Sequence, residues 1–283
     1  MNELRLYEGP KLALCAFRCA PDDQRWRLEN VIGPRNVAAF PTTSVVIRHE
    51  GREAVLANPN HVVFYQPAER YRRTLHDERG DRCVFVAFEP ELARLPFGFG
   101  PSPARQYAQL HLVARAAQAG DAEPLAIEEA VCQALSAAID AGLALHRIRT
   151  ASRSQTRAAH GELVERAKAV LTERAAARDS LSTLARMLHT SEFHLARVFR
   201  ARTGFSLHGY RTQLRLRAAL ERLRGCDDLT LLACELGFDS HSHFTAAFRS
   251  TFGSPPSRIR ESHGRRGLGE LRRILTAEPV LAP

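Results

Sequence analysis

Apolar residues recur with two different periods along this chain. Up to about residue 100 they form short runs rich in β-branched and aromatic residues: Lys11–Phe17, Thr43–Arg48, His61–Tyr65 and Arg82–Phe88. Turn signals separate these runs, at Gly51, Asn58-Pro59-Asn60, Gln66-Pro67 and Arg79-Gly80-Asp81, so the pattern predicts strands. Many short strands at this spacing predict a small barrel or jelly roll, which either encloses a ligand or is filled by its own side chains. The proline- and glycine-rich stretch Leu95–Pro103 closes the β region. Two helices are predicted next, over Ala104–Gly120 and Asp121–Ile148. In the second, Ile127, Val131, Leu135 and Ile139 recur every four residues, an amphipathic stripe that packs on the barrel or pairs with a second subunit. Arg149–Arg157 is polar, basic and without an apolar stripe, and reads as an interdomain linker. A helix with Leu163, Ala167, Val170 and Leu171 as its buried stripe then spans Gly161–Ala177. The predicted division is 1–148, a linker at 149–159, a helical domain at 160–262 and a basic tail at 263–283 with a short helix near Glu270–Leu275.

The helical domain contains a duplication. At an offset of 49, Ser191 falls on Ser240, Leu195 on Phe244, Phe199 on Phe248, Arg200 on Arg249 and Gly204 on Gly253; Ala185 falls on Ala233 at an offset of 48. Two copies make a duplicated module rather than a solenoid. Each copy has a small residue where helices cross, then a turn, then a serine placed to cap the next helix, and a glycine placed to end it. The faces left outside carry Glu192, Phe193, Ala196, Arg197 and Arg200 in one copy, and His241, Ser242, Thr245, Ala246 and Arg249 in the other. An ordinary helical bundle can imitate one helix-turn-helix. Matched caps and matched arginines in two copies favour a pair of helices of the kind that lie in a DNA major groove.

Charge sharpens this reading. Residues 1–150 hold 18 Lys+Arg and 18 Asp+Glu, whereas residues 151–283 hold 22 and 13, so the whole net charge of +9 lies in the half with the repeats. A basic domain attracts the phosphate backbone and releases its condensed counterions. Only Lys11 and Lys168 are lysines; arginine suits bidentate contact with phosphate or guanine. No apolar run approaches ~20 residues, so no membrane span is expected, nor is a secretory leader visible. The six cysteines include no C-x-x-C pair and are expected to be reduced thiols in a cytoplasm.

The residues Leu184-Ala185, Ser191, Leu195, Phe199, Gly204, Tyr210, Arg215-Leu216, Ala219, Leu223, Ala233, Gly237-Phe238, Ser242, Phe244, Phe248, Gly253, Pro256 and Arg260 together resemble the DNA-binding domain of the AraC/XylS family of bacterial transcription regulators. Ile259 departs from the family's usual Tyr but keeps an apolar anchor. The resemblance implies seven helices. A long one, near Ser206–Arg224, would hold two recognition helices in adjacent major-groove segments, ~34 Å apart. By position alone it also implies a cupin-like sensor barrel in the first half. The whole is then an α+β protein of the bacterial cytoplasm, associated with the nucleoid. Dimerising helices after the barrel, a homodimer, promoter DNA and RNA polymerase as partners, and activation as the commoner mode of control are further implications.

In the expected site, Arg197 reads guanine, Phe193 meets a thymine methyl, and Glu192 accepts from cytosine or complements the helix N-terminus. His241, Ser242 and Thr245 read from the second helix, with His243 expected as a backbone contact. Arg200, Arg211, Arg249 and Arg258 are phosphate candidates, and alanines at 196 and 246 leave part of the specificity to indirect readout. In the first half, Tyr65, Arg70, Tyr71, Arg72, Arg73 and His76 form a polar-aromatic cluster, either the rim of a pocket for an anionic or polar effector or a solvated charge run. The rival to sensing is a purely structural or dimerising barrel. No enzyme is expected: the half has no His-x-His pair, Cys83 lies in Asp-Arg-Cys-Val rather than a reactive Pro-Cys-His-Arg setting, and Cys15, Cys19, His49, His61, His76 and Cys83 form no metal-site pattern. No cofactor is expected.

Overall fold

The structure is a computed structural model that describes residues 3–96, 98–150 and 154–261; the expected tail 263–283 and its short helix lie outside these. Among the described residues the first half has ten strands: β1 Glu3–Glu8, β2 Leu12–Cys19, β3 Asn30–Val31, β4 Asn36–Pro41, β5 Val45–His49, β6 Val55–Ala57, β7 His61–Tyr65, β8 Arg70–Leu75, β9 Asp81–Phe88 and β10 Phe99–Pro101. They form two antiparallel sheets, ordered β1-β2-β9-β4-β7-β10 and β3-β8-β5-β6. Hydrogen bonding leaves two separate sheets that face one another, the double-sheet form of the expected jelly roll. Side chains alternate faces along each strand. Leu14, Phe40, Phe64, Val86 and Phe88 on one face of the larger sheet pack in one core with helices α1 (Ala104–Gln118) and α2 (Pro124–Thr150). On the other face Ala39, Val63 and Tyr65 meet Val45, Ile47 and Ala57 of the smaller sheet.

The stripe of α2 lies in the first of these cores, with Ile127, Val131, Leu135 and Ile139 buried within the chain. Of the two roles its pattern allows, packing on the sheet is the one realised. The approach is close: a Cβ on Gly100 of β10 would lie 2.8 Å from the Gly142 Cα of α2. Strand β8 reads as a charge run because its inward position 73 is an arginine. Arg73 is nevertheless buried, with its guanidinium 3.0 Å from the Asp81 carboxylate.

The second half has seven α-helices among the described residues, as the resemblance implies: α3 Ser154–Glu173, α4 Leu181–Met187, α5 Glu192–Thr203, α6 Leu207–Arg222, α7 Leu229–Glu235, α8 His241–Phe252 and α9 Pro256–Glu261. The predicted linker is mostly helical, since α2 runs on to Thr150 and α3 begins at Ser154. Polarity alone does not break a helix; the segment has no Gly or Pro, the residues that do. Helix α6 crosses both cores of this half. Its Leu207, Tyr210 and Leu214 pack with α3, α4 and α5; its Leu216, Ala219 and Leu220 pack with α7, α8 and α9. The second core also takes Tyr107, Ala108 and Leu112 from α1, so the two halves share apolar packing.

A buried polar junction accompanies it. Asn58, at the turn before β7, donates through Nδ2 to the Tyr210 hydroxyl oxygen at 2.8 Å and to Thr172 Oγ1 at 3.0 Å. Asn60 Nδ2 donates to the Tyr210 carbonyl at 2.9 Å. The guanidinium of Arg217 donates to the carbonyls of Pro59 and, at 2.6 Å, Ser102, and stacks on the Tyr107 ring. Burial pushes Arg217 down to about 10, so it is still cationic at neutral pH. Glu165 of α3 accepts from the Leu56 amide at 2.8 Å.

Two imidazoles at this junction are held neutral. Burial, then the charges of Lys168 and Arg217, push His61 well below its ordinary value; burial, then Arg115 and Arg217, do the same to His111. The unfolded chain protonates both near pH ~6.5. The unfolded state therefore binds more protons below that pH, and stability is lost as pH falls. The expected loss between about pH 6.5 and 5 is up to ~1.4 kcal/mol per pH unit for each imidazole. Denaturant unfolding across that range checks this. His111→Phe should reduce the slope by about one proton, and an unchanged slope would remove His111 from the account.

Candidate nucleic-acid interface and inter-sheet cavity

The two helix-turn-helix units are built alike at atomic level. Ser191 Oγ accepts from the His194 amide and Ser240 Oγ from the His243 amide, capping α5 and α8. Both helices end on a left-handed glycine, Gly204 at φ 79° and Gly253 at φ 85°. In the turns, the Thr190 amide donates to the Ala185 carbonyl and the Phe238 amide to the Ala233 carbonyl, each at 3.0 Å. Both turns need one left-handed residue, His189 at φ 52° and Gly237 at φ 81°. Only the second must be glycine for space, because a Cβ there would lie 2.0 Å from the Ala176 carbonyl oxygen.

That contact belongs to a clamp between the units. Arg215 of α6 donates to the carbonyls of Ala175 at 2.6 Å and Ala177 at 2.7 Å, beyond the end of α3, and to Gly237 at 2.8 Å, in the second turn. Arg178 donates to the Phe238 carbonyl at 3.0 Å and pairs with Asp239. Arg211 Nη1 donates to the Asp179 carbonyl at 2.9 Å. Arg211, expected as a phosphate contact, is half-buried and uses this one donor to brace the loop after α3. Sequence reading had Arg215 only as part of a signature, not as a brace.

The structure leaves most of the expected reading face in solvent. Glu192, Phe193, Arg197 and Arg200 are exposed on α5, and His241, Ser242 and Arg249 on α8; Thr245 is half-buried. Phe193 is 79% exposed, a large apolar ring with no packing role inside the chain. Arg200, Arg249 and Arg258 have no protein partner among the described residues. Ala246 is exposed, but Ala196 is half-buried against the first core. His243 lies 3.6 Å from the Asp239 carboxylate and edge-on to Phe238, while His241 Nε2 and Thr245 Oγ1 are 3.4 Å apart.

In the first half a cavity of about 730 Å³ opens between the two sheets. Of the expected polar-aromatic cluster, Tyr65, Tyr71 and Arg73 line it. Arg70 and His76 do not: Arg70 points to the surface and pairs with Glu29 at 2.8 Å, and His76 lies 3.9 Å from Glu173 of α3. Alternation along β8 separates them, since 71 and 73 share the inner face. Arg73 is held by Asp81 and by Asn30 Oδ1 at 3.3 Å, with the Phe17 and Trp26 rings at 4.8 and 5.6 Å. Burial raises Asp81, and Arg73 opposes the rise. Cys15 and Cys83 also line the cavity. Burial pushes the Cys15 thiol up to about 12 and Cys83 well above its usual value, so both are neutral thiols. Among the described residues no cluster of three metal-ligating side chains occurs, and no helix is long and apolar enough to cross a membrane.

Residues 184–262 match a family model described as a helix-turn-helix domain. Solved structures similar to this chain include the C-terminal domain of AraT, a response regulator from Geobacillus stearothermophilus (24% identity, 36% of this chain and 85% of that one, TM-score 0.34). A transcriptional regulator with an AraC-type DNA-binding domain from Chromobacterium violaceum is similar at 23% identity, over 37% of this chain and 95% of that one, TM-score 0.35. ToxT from Vibrio cholerae O395 is similar at 11% identity over 89% of this chain and 98% of that one, TM-score 0.35. A helix-turn-helix duplicated with its caps, on a basic domain, makes the protein a DNA-binding transcription regulator. Its C-terminal domain is of the AraC type.

The two positive-φ glycines separate backbone strain from steric conflict. Gly204 has open space at its Cβ position, so Gly204→Ala should cost only the left-handed penalty of about 1–2 kcal/mol. Gly237→Ala must in addition move the Ala176 carbonyl and should cost clearly more. Denaturant midpoints of the two variants check this; equal costs would mean that the loop at 176 yields freely.

Proposed function

We propose that this regulator reads an operator of two short boxes with α5 and α8, and that its sandwich domain binds a small-molecule effector between the sheets. The observation that carries the sensing part is the unfilled inter-sheet cavity. A purely structural module would pack its two inner faces together throughout; here they meet over part of their extent and leave between them a space in the range of ligand pockets. In the reading part, Arg197 takes a guanine in a bidentate fork, Phe193 meets a thymine methyl, Glu192 takes a cytosine amine, and His241, Ser242 and Thr245 read the second box. Arg200, Arg211, Arg249 and Arg258 hold phosphates. Activation through RNA polymerase by a homodimer completes the reading. Because the stripe of α2 is used within the chain, the dimer forms through another face.

Operator selection from random duplex DNA tests the reading part: two boxes about one helical turn apart, ~34 Å, are expected, and repeated pairs indicate a dimer. Arg197→Ala should weaken operator binding by roughly 1–3 kcal/mol and relax preference at one base pair. Equal weakening on all sequences would make Arg197 a phosphate contact instead. Arg249→Ala should leave sequence preference intact and reduce the slope of log K against log salt by about one; titrations at several salt concentrations show whether it does.

A further inference from the structure

We infer that the effector is an uncharged, largely apolar small molecule carrying a hydroxyl or carbonyl oxygen that meets the Tyr65 and Tyr71 hydroxyls. This rests on the reading of the inter-sheet cavity as the effector site. The argument begins with charge. Three arginines and four carboxylates line the cavity: Arg5, Arg35 and Arg73 against Glu3, Glu8, Asp81 and Glu89. Each arginine is already paired. Arg73 is held by Asp81, Arg35 bridges Glu8 at 2.8 Å and Glu89 at 2.7 Å, and Arg5 meets Glu8 at 3.1 Å. An anion entering this space finds no unpaired cation and one carboxylate in excess, while its own desolvation is costly. A cation would face the excess carboxylate, but would have to leave water for a lining that is otherwise aliphatic, aromatic and neutral. The neutral state of that lining holds across the working pH range, because burial raises Tyr65 well above its ordinary value, Tyr71 to about 12, and both cavity thiols.

The second observation supplies the polar contact. Tyr65 is 6% exposed and Tyr71 half-buried, their rings 4.7 Å apart. Neither hydroxyl has a hydrogen-bond partner among the described residues. Buried phenols normally find a partner, so two unpartnered ones on a cavity wall mark where a ligand oxygen belongs. Elsewhere the wall is mainly apolar, with Phe17, Ile47 and Phe85 beside small residues such as Ala13, Ala39 and Ala87, which suits a compact hydrocarbon body.

The test uses the full-length chain and three naphthalene probes of similar size. Prodan is neutral with a ketone oxygen, 1-anilinonaphthalene-8-sulfonate is an anion, and trimethyl(2-naphthyl)ammonium is a cation, read by competition against prodan. Prodan should bind with one site per chain and tighter than either ion. Ala39→Phe, which fills the cavity from β4, should weaken it at least tenfold, and Tyr65→Phe roughly three- to tenfold. Ala87→Phe repeats the filling test from β9 should Ala39→Phe not fold, and a cooperative denaturant unfolding transition followed by circular dichroism reports that each variant is folded. If an ion binds tighter than prodan and is lost in Ala39→Phe, the uncharged class is wrong while the effector cavity stands. If prodan is lost in Ala39→Phe but unmoved by both Tyr65→Phe and Tyr71→Phe, the assignment of the phenols is wrong. If no probe responds to either cavity-filling variant, the cavity is not a ligand site and the proposed sensing falls with it.

Discussion

A guanidinium cannot be left unpaired in a protein interior, and Arg217 is almost entirely buried. Its charge is made tolerable by carbonyls that both belong to the other half of the chain, Pro59 and Ser102, and by the face of Tyr107. Removing either side strands the other, because an unpaired buried charge costs several kcal/mol. Asn58 and Asn60 set the same condition on Tyr210, two turns earlier in α6. The helix that spans both DNA-reading units is thereby referenced to the sandwich rather than to those units alone.

Strand β7 gives that reference a physical continuation. The turn before it holds α6, and within the next five residues Val63 and Tyr65 reach the cavity between the sheets. At the other end of the chain of contacts, Arg215 ties α6 to the loop after α3 and to the second turn at once. Cavity and turn are joined along β7, and turn, helix and clamp by buried polar groups whose partners are specific and hard to exchange.

Much of the DNA-binding half could be read from the residues, because its devices are local. A serine before a helix, a glycine after it and an alanine at a crossing keep their meaning wherever the chain is placed, and the second copy, at an offset of 48 or 49, repeats each one. The first half was harder for the opposite reason. Strand β8 reads as a charge run until Asp81, eight residues on, is seen to neutralise Arg73, and no local pattern contains that pairing. The same holds for the site. Exposure of Phe193 and Arg197 follows from helical phase. The separation of Arg70 and His76 from Tyr71 and Arg73 follows from strand phase in an element the pattern hides. Arg217 and Asn60 were invisible as structural residues, since their partners lie more than a hundred positions away.

Helix α1 lends Tyr107, Ala108 and Leu112 to the core that contains α7, α8 and α9. Regulators of this architecture invite treatment as interchangeable cassettes, with one sensor exchanged for another upstream of a fixed reader. In this chain the seam of such an exchange does not run between α2 and α3, where the polar sequence suggests it. It runs through the middle of a hydrophobic core, so a transplanted sensor must bring side chains shaped for α6 and α8. Any new pairing of the two halves must therefore satisfy this shared packing before anything else.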